Sequence, residues 1–243
     1  MQKLFYAITK KYWNILSYSH AKKNNFIVQN GIFKNLKINN SISWSRGDIA
    51  SKIYGLYENK VQEKLKELGK PILIDIGAAD GFFAIGCLHA KLFKYCYAFE
   101  QNKKSRLVLN KTAEINNVTN QISIMGKVDN QSFLSLLPKD LDLSKTVILC
   151  DIEGEEYNFF AATILKKLRK CNLIIEIHKE KSNSKENSLI KTANRYFNVN
   201  MILDNNKDMS DLSILHDLND IDRNLIACEG RSYIGKWLHL SPK

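Results

Sequence analysis

The chain lacks several features that define large classes of protein. No segment approaches the run of about 18 apolar residues that a transmembrane helix needs. The five cysteines contain no C-x-x-C pair, and most lie in apolar runs typical of buried strands, so we expect neither a zinc site nor a disulfide framework. Lysines interrupt residues 1–19 and no small-residue cleavage site is visible there, which argues against a secretory signal. We therefore expect a cytoplasmic protein.

Acidic residues are scarce in the first fifth of the chain. Residues 1–50 contain eight lysines and arginines and one acid, and the net charge of all 243 residues is +11. This contrast predicts a basic extension over 1–50 and a globular domain over 51–243. The extension could dock on the domain, lie on a membrane surface as a peripheral contact, or bind nucleic acid, and we favour docking. Apolar residues at helical spacing predict that it forms an amphipathic helix: Leu4, Phe5, Ile8, Tyr12, Ile15 and Leu16.

Glycine is also sparse, yet two glycines stand in the most informative segment. The apolar run 72–76 predicts a buried strand, which leads into a turn with Gly77 and Gly81 and then into a helical pattern that begins at Phe82. Such a turn lets a ligand approach bare backbone at unsatisfied helical amides. A dinucleotide site would need G-x-G-x-x-G, whereas this turn reads G-A-A-D-G and places Asp80 where phosphates would lie. The acid predicts a cationic or amine-bearing cofactor.

A second acid follows the next predicted strand. Glu100 ends the apolar run 95–99, roughly 20 residues after the glycine turn. An acid in this position can accept hydrogen bonds from both hydroxyls of a ribose. The alternative is a solvated charge at the end of a strand. Together with the glycine turn, Glu100 favours a ligand site.

These segments resemble a known enzyme family. Asp75-x-Gly77-x-x-x-Gly81 followed by Glu100 resembles motifs I and II of class I S-adenosylmethionine-dependent methyltransferases. Segment 151–156, D-I-E-G-E-E, resembles the D-[VI]-E-G-x-E signature of the FkbM-like branch, whose members are mostly O-methyltransferases. Residues 55–58, G-L-Y-E, are similar to a G-x-Y-E element that often precedes motif I in that family. The resemblance covers about residues 50 to 240.

The resemblance implies a substrate class and a set of cofactor residues. It implies transfer of a methyl group from S-adenosylmethionine to a hydroxyl of a sugar nucleotide or surface-glycan precursor, in polysaccharide biosynthesis and without a nucleic-acid partner. Two alternatives stay open. One is an RNA methyltransferase, which the basic charge favours although no N/D-P-P-Y motif is present. The other is a non-catalytic scaffold with a cofactor fold. The implied cofactor-binding residues are Asp75, Gly77, Asp80, Gly81, Phe82, Glu100 and Asp151.

Acids and a histidine follow the next two predicted strands. Asp151 ends one strand and Glu153 follows in the same loop, while Glu176 and His178 lie two apart on the neighbouring strand and so share a face. Methylation of a hydroxyl needs a base, and we predict that His178 is the base, that Glu176 orients it, and that Asp151 and Glu153 lie beside the acceptor. His178 could instead be structural. A divalent metal on Asp151, Glu176 and His178 is a further alternative, which we do not favour because Mg²⁺ prefers all-oxygen ligands.

Strand and helix patterns alternate along the chain. Alternation predicts an α/β, Rossmann-like methyltransferase fold with a mostly parallel sheet, an antiparallel C-terminal hairpin and an N-terminal helical extension. Glu155 and Glu156 would complement a helix dipole, Trp44 would form an acceptor lid or a packing anchor, and 179–187 would form a loop. The predicted strands are 72–76, 95–99, 121–125, 146–151, 172–177, 199–203, 223–228 and 233–240. The predicted helices are 82–92, 103–116, 155–169 and 185–197.

Overall fold

A computed structural model describes residues 2–41, 46–179, 184–204, 207–210 and 212–243. Its strands are β1 Ile72–Ile76, β2 Tyr95–Phe99, β3 Ile122–Met125, β4 Thr146–Cys150, β5 Asn172–Glu176, β6 Phe197–Asp204 and β7 Gly235–Pro242. Within the described residues they form one sheet in the order β3-β2-β1-β4-β5-β7-β6. Strands β1 to β5 are parallel, and β7 runs antiparallel between β5 and β6. The predicted α/β fold with a mostly parallel sheet is confirmed.

Helices cover both faces of the sheet, and the strands are apolar for that reason. Successive side chains of a strand point to opposite faces. Leu73 and Val147 accordingly belong to one apolar cluster, whereas Ile74 and Ile148 belong to the other. The helices are α1 Gln2–Lys23, α2 Ile49–Ile53, α3 Asn59–Leu68, α4 Phe82–His89, α5 Lys103–Ile115, α6 Glu156–Phe159, α7 Ala162–Lys167, α8 Ser184–Ala193 and α9 Asp220–Ala227.

One of the two strands predicted for the C-terminal hairpin is wrong: 233–240 corresponds to β7, but 223–228 is not a strand. Residues 223–227 belong to α9, Cys228 is the residue that follows its end, and β7 pairs with β6 instead. The side chain of Asn219 caps α9 by accepting the Asp222 amide, and the acids Asp220 and Asp222 lie in its first turn. A cap and acids at this position stabilise a helix, and these local signals outweigh the apolar run that suggested a strand.

Two further predictions need correction or fall outside the described residues. The helix predicted over 155–169 is divided into α6 and α7, because Ala161 between them has an extended backbone. The loop predicted at 179–187 includes 180–183, which lie outside the described residues, and α8 already begins at Ser184. Trp44 also lies outside the described residues.

The N-terminal helix packs on the rest of the chain by one face. Trp13, Ser17 and Ala21 of α1 are buried, and α1 contacts α2 and α9. Ile8 and Ile15, on another face, are each 59% exposed. The predicted boundary between residues 50 and 51 falls inside α2, whose residues are all buried. Among the described helices, none has the length and apolar character required to cross a bilayer.

Candidate cofactor and acceptor site

A cavity of about 680 Å³ opens at the carboxyl ends of the parallel strands. Loops after β1, β2, β3 and β4 contribute its walls, where open parallel sheets bind their ligands. Of the described residues that line it, six are acidic and two are lysines. The acids are Asp80, Glu100, Asp129, Asp151, Glu153 and Glu155, and the lysines are Lys52 and Lys127.

Gly77 allows the loops after β1 and β4 to meet at the cavity. Its φ is +91°, and a Cβ at this position would lie 1.7 Å from the carbonyl oxygen of Asp151. The Gly77 amide donates to the Phe99 carbonyl at 2.8 Å, and the Asp151 amide donates to the Ile76 carbonyl at 2.9 Å. The sheet therefore continues one residue into each loop, and only glycine fits where the two backbones approach.

Glu100 presents a fixed carboxylate to the cavity. One oxygen accepts the amide of Ala79 at 2.9 Å, and the other accepts the amide of Asn102 at 2.6 Å. The residue is only 8% exposed. Each carboxylate oxygen can accept more than one hydrogen bond, so both keep capacity for a ligand. Glu100 therefore lies beside the glycine turn, as the sequence predicted.

Asp80 lies at the cavity but is paired with a buried lysine. Lys52 Nζ lies 3.3 Å from Asp80 Oδ2 and 3.5 Å from Asp48 Oδ2, and 4.9 Å from the centre of the Tyr57 ring. Although burial lowers the pKa of Lys52, the two carboxylates raise it above its ordinary value, so the lysine stays charged. The sequence did not predict a role for Lys52, because lysines are almost always exposed on the surface.

Three predicted cofactor residues shape the glycine turn without lining the cavity. Asp75 is buried within β1, and burial raises its pKa to about 8. The Gly81 amide closes the turn by donating to the Ala78 carbonyl at 2.8 Å. The ring of Phe82 packs edge-on against Phe33.

The predicted catalytic residues meet around His178. Its Nε2 lies 3.6 Å from Asp151 Oδ1, 3.4 Å from Glu153 Oε2 and 3.8 Å from Glu176 Oε2. Its Nδ1 lies 3.1 Å from Glu156 Oε1. We call Asp151, Glu153, Glu156 and His178 the carboxylate–histidine cluster. Asp151 and Glu153 also line the cavity, so the cluster lies beside the candidate cofactor site.

The carboxylate that orients His178 is Glu156 and not Glu176. Glu156 is fully buried, and its Oε1 also accepts the Ile152 amide at 2.8 Å, so it does more than complement a helix dipole. Burial opposes protonation of His178, but Glu153 and Glu156 raise its pKa to about 10. The ring is therefore protonated at neutral pH, which disagrees with its predicted role as a free base. Burial raises the pKa of Asp151 to about 6.

Arg231 explains why Glu176 is not available to the histidine. Its guanidinium pairs with Glu176, Glu58 and Glu229, the last at 2.9 Å. Glu229 Oε1 also accepts the Glu58 amide, at 2.9 Å, which ties the segment before β7 to the start of α3. The residues are far apart in the sequence, and nothing in the local pattern of 228–234 indicated this contact.

The geometry agrees with the fold of known methyltransferases. Precorrin-6y C5,15-methyltransferase from Geobacter metallireducens GS-15 superposes with a TM-score of 0.51 at 9% identity, over 85% of this chain and 93% of that one. An uncharacterized protein from Listeria monocytogenes serotype 4b has a TM-score of 0.50 at 13% identity, over 76% and 67% of the two chains. The chain has a Rossmann-like methyltransferase fold.

Other comparisons add no finer assignment. The B. subtilis M1A22 tRNA methyltransferase TrmK has a TM-score of 0.48 at 11% identity, over 74% of this chain and 64% of that one, which is too low to support an argument. No protein-family model matches this methyltransferase-fold chain, and a search of curated proteins finds no match. The resemblance to the FkbM-like branch therefore stays a prediction.

Proposed function

We propose that the protein is an S-adenosylmethionine-dependent methyltransferase. The main support is the position of the Glu100 carboxylate. The amides of Ala79 and Asn102 hold it at the cavity beside the glycine turn. A ribose diol can donate two hydrogen bonds to such a carboxylate. The same cavity is also lined by Gly77, Asp80 and Asp151. The turn is supported by Asp75, Gly81 and Phe82, which do not line the cavity.

The charge of the cavity supports this cofactor over a dinucleotide. Six acids and two lysines line it, and Lys52 is paired with Asp80. A pyrophosphate would face this acidic surface without a basic partner in the glycine turn. S-adenosylmethionine carries a sulfonium and an ammonium group, and both are attracted to carboxylates.

The acceptor that we propose is a hydroxyl, on a sugar nucleotide or glycan precursor as the FkbM-like motif D-I-E-G suggests. The acceptor oxygen attacks the methyl carbon, the bond from that carbon to sulfur breaks, S-adenosylhomocysteine leaves, and the hydroxyl proton passes to a carboxylate. Asp151 lies at the cavity and burial raises its pKa, so it suits that step better than the protonated His178. In this proposal His178 and Glu153 bind the acceptor. Glu176 pairs with Arg231 and so positions the carboxyl end of β5.

RNA is the second candidate acceptor, and one observation favours it. The net charge of +11 would attract a polyanion. The acids Asp151, Glu153 and Glu155 at the cavity would repel a phosphate backbone brought close to the methyl group. A scaffold without catalysis is the third alternative, and it predicts no cofactor binding.

Calorimetric titration with S-adenosylhomocysteine tests the cofactor assignment. We expect a dissociation constant in the micromolar range, about −7 to −8 kcal/mol. Glu100→Gln keeps the shape of the side chain but removes its charge, and should weaken binding by about 2 kcal/mol. Glu114→Gln, an exposed acid on α5, is the matched control and should bind as the wild type does. Absence of heat with the wild-type protein would reject the proposal.

A further inference from the structure

We propose that Asp151, Glu153 and His178 bind a divalent transition-metal cation beside the acceptor. The three residues offer Asp151 Oδ1, Glu153 Oε2 and His178 Nε2, and these atoms all lie within 4.8 Å of one another. Binding of the cation does not depend on the proposed function. Only its role, which is to hold the acceptor oxygen, rests on that proposal.

The distances fit a shared cation better than direct hydrogen bonds. Charge-assisted hydrogen bonds between nitrogen and carboxylate oxygen span about 2.7 to 2.9 Å. Nε2 lies 3.6 Å from Asp151 Oδ1 and 3.4 Å from Glu153 Oε2. Two ligands at about 2.1 Å from one metal, at tetrahedral to right angles, are separated by about 3.0 to 3.4 Å. Both separations can therefore be spanned by one cation after shifts of a few tenths of an ångström.

The imidazole is held in the orientation that a metal ligand needs. Glu156 Oε1 lies 3.1 Å from Nδ1, which leaves Nε2 as the ring nitrogen that faces Asp151 and Glu153. A carboxylate behind a histidine is the usual arrangement at metal centres, because it fixes the ring and its tautomer.

Unpaired buried atoms provide a second, independent indication. Within the described part of the chain, Asp151 Oδ1 and Glu156 Oε2 are buried and accept no hydrogen bond. The Glu156 side chain is fully buried, next to the ring nitrogen. Buried carboxylate oxygens are costly unless a partner satisfies them. A cation on the open side of Nε2 would satisfy Asp151 Oδ1 directly.

The ligand set selects the kind of cation. Mg²⁺ and Ca²⁺ prefer oxygen ligands, whereas one imidazole with two carboxylates suits Mn²⁺ and its neighbours in the transition series. Three protein ligands leave coordination positions open, and Asp151 and Glu153 also line the cavity. A hydroxyl at an open position would be oriented toward the methyl donor and would lose its proton more readily.

Titration of the wild-type protein with Mn²⁺, followed by the electron paramagnetic resonance signal of the free ion, tests the site without cofactor or acceptor. We expect one bound Mn²⁺ per chain and at least tenfold weaker binding in Glu153→Gln and in Asp151→Asn. Glu156→Gln should weaken binding by about 10- to 100-fold through the ring. Glu155→Gln is the matched control, because Glu155 pairs with Asn158 outside the cluster, and it should bind Mn²⁺ as the wild type does.

Titration with S-adenosylhomocysteine in the presence of chelator separates this proposal from the proposed function, and circular dichroism verifies that each variant is folded. Mn²⁺ binding that is lost in the ligand variants, whether or not the cofactor product binds, supports the cation site. An unchanged free Mn²⁺ signal at millimolar wild-type protein would overturn it. Equal Mn²⁺ affinity of wild type, Asp151→Asn and Glu153→Gln would also overturn it. Loss of cofactor-product binding alone would count only against the methyltransferase assignment.

Discussion

Gly77 and Gly154 both have positive φ and both lie in loops that lead to the cavity, but their surroundings differ. A Cβ on Gly77 would overlap the Asp151 carbonyl, whereas a Cβ on Gly154 would meet no atom within 4 Å. The two positions therefore separate the cost of an unfavourable backbone conformation from the cost of a steric clash.

Alanine substitution at these two glycines should give unequal losses of stability. Gly154→Ala carries only the backbone penalty, and we expect it to lower the free energy of unfolding by about 1 kcal/mol. Gly77→Ala must also move the end of β4, so we expect a loss of more than about 3 kcal/mol and no binding of S-adenosylhomocysteine. Urea unfolding followed by circular dichroism measures both. Equal losses for the two variants would show that the close approach at Gly77 does not matter.

The acids of the site were predictable one by one, but their partners were not. Glu100, Asp151 and Glu153 follow apolar runs, and the carboxyl ends of parallel strands meet at one edge of a sheet. Lys52 and Arg231 carry no comparable signal. They reach the site through α2 and through the segment before β7, and only the tertiary fold brings them to Asp80 and to the Glu58, Glu176 and Glu229 carboxylates.

At the scale of elements, the predictions were accurate where burial dominates. The predicted strands 72–76 and 95–99 coincide with β1 and β2, because a strand in a covered parallel sheet is predominantly apolar. The main error falls near the C-terminus, where β6 is buried only at its two ends and α9 is short. There the capping residue Asn219 was the informative signal, and the apolar run 223–228 was misleading.

Helix α1 offers a prediction about docking, which the sequence favoured over a membrane or nucleic-acid contact. The Trp13 ring is packed against the backbone at Gly47 and Gly230, where a Cβ would lie 2.3 and 2.5 Å from it. Trp13→Ala should therefore lower the free energy of unfolding by about 3 kcal/mol. Ile8→Ala, at a position 59% exposed, should change it by less than about 0.5 kcal/mol.

Co-sedimentation with anionic vesicles separates docking from a membrane role of the same helix. Tyr12 and Ile15 are exposed near lysines and would be available to a lipid surface. If docking is the whole role of α1, Ile8→Ala and the wild type should both stay in the supernatant. Wild-type sedimentation that is lost in Ile15→Asp, with an unchanged melting temperature, would favour the membrane interpretation instead.

Across the whole molecule, the sign of the charge differs between the chain and its cavity. The net charge is +11, and yet six of the eight charged residues that line the cavity are acids. Charge on the whole molecule governs which partners approach, because it acts over about 8 Å in physiological salt. Charge in the cavity governs which group can bind there. The net charge of the chain favours RNA as the acceptor, whereas the acids in the cavity favour a neutral hydroxyl.

Incubation with methyl-labelled S-adenosylmethionine can decide between them. Total RNA, a sugar-nucleotide pool and a glycan-precursor fraction would be offered separately, with Asp151→Asn as the control for transfer that does not depend on the site. We expect label in a sugar-containing fraction, because a neutral hydroxyl can lie among Asp151, Glu153 and His178, whereas phosphates of RNA would be repelled there. Label in RNA alone, lost in Asp151→Asn, would make RNA the acceptor and would assign the basic surface to its binding.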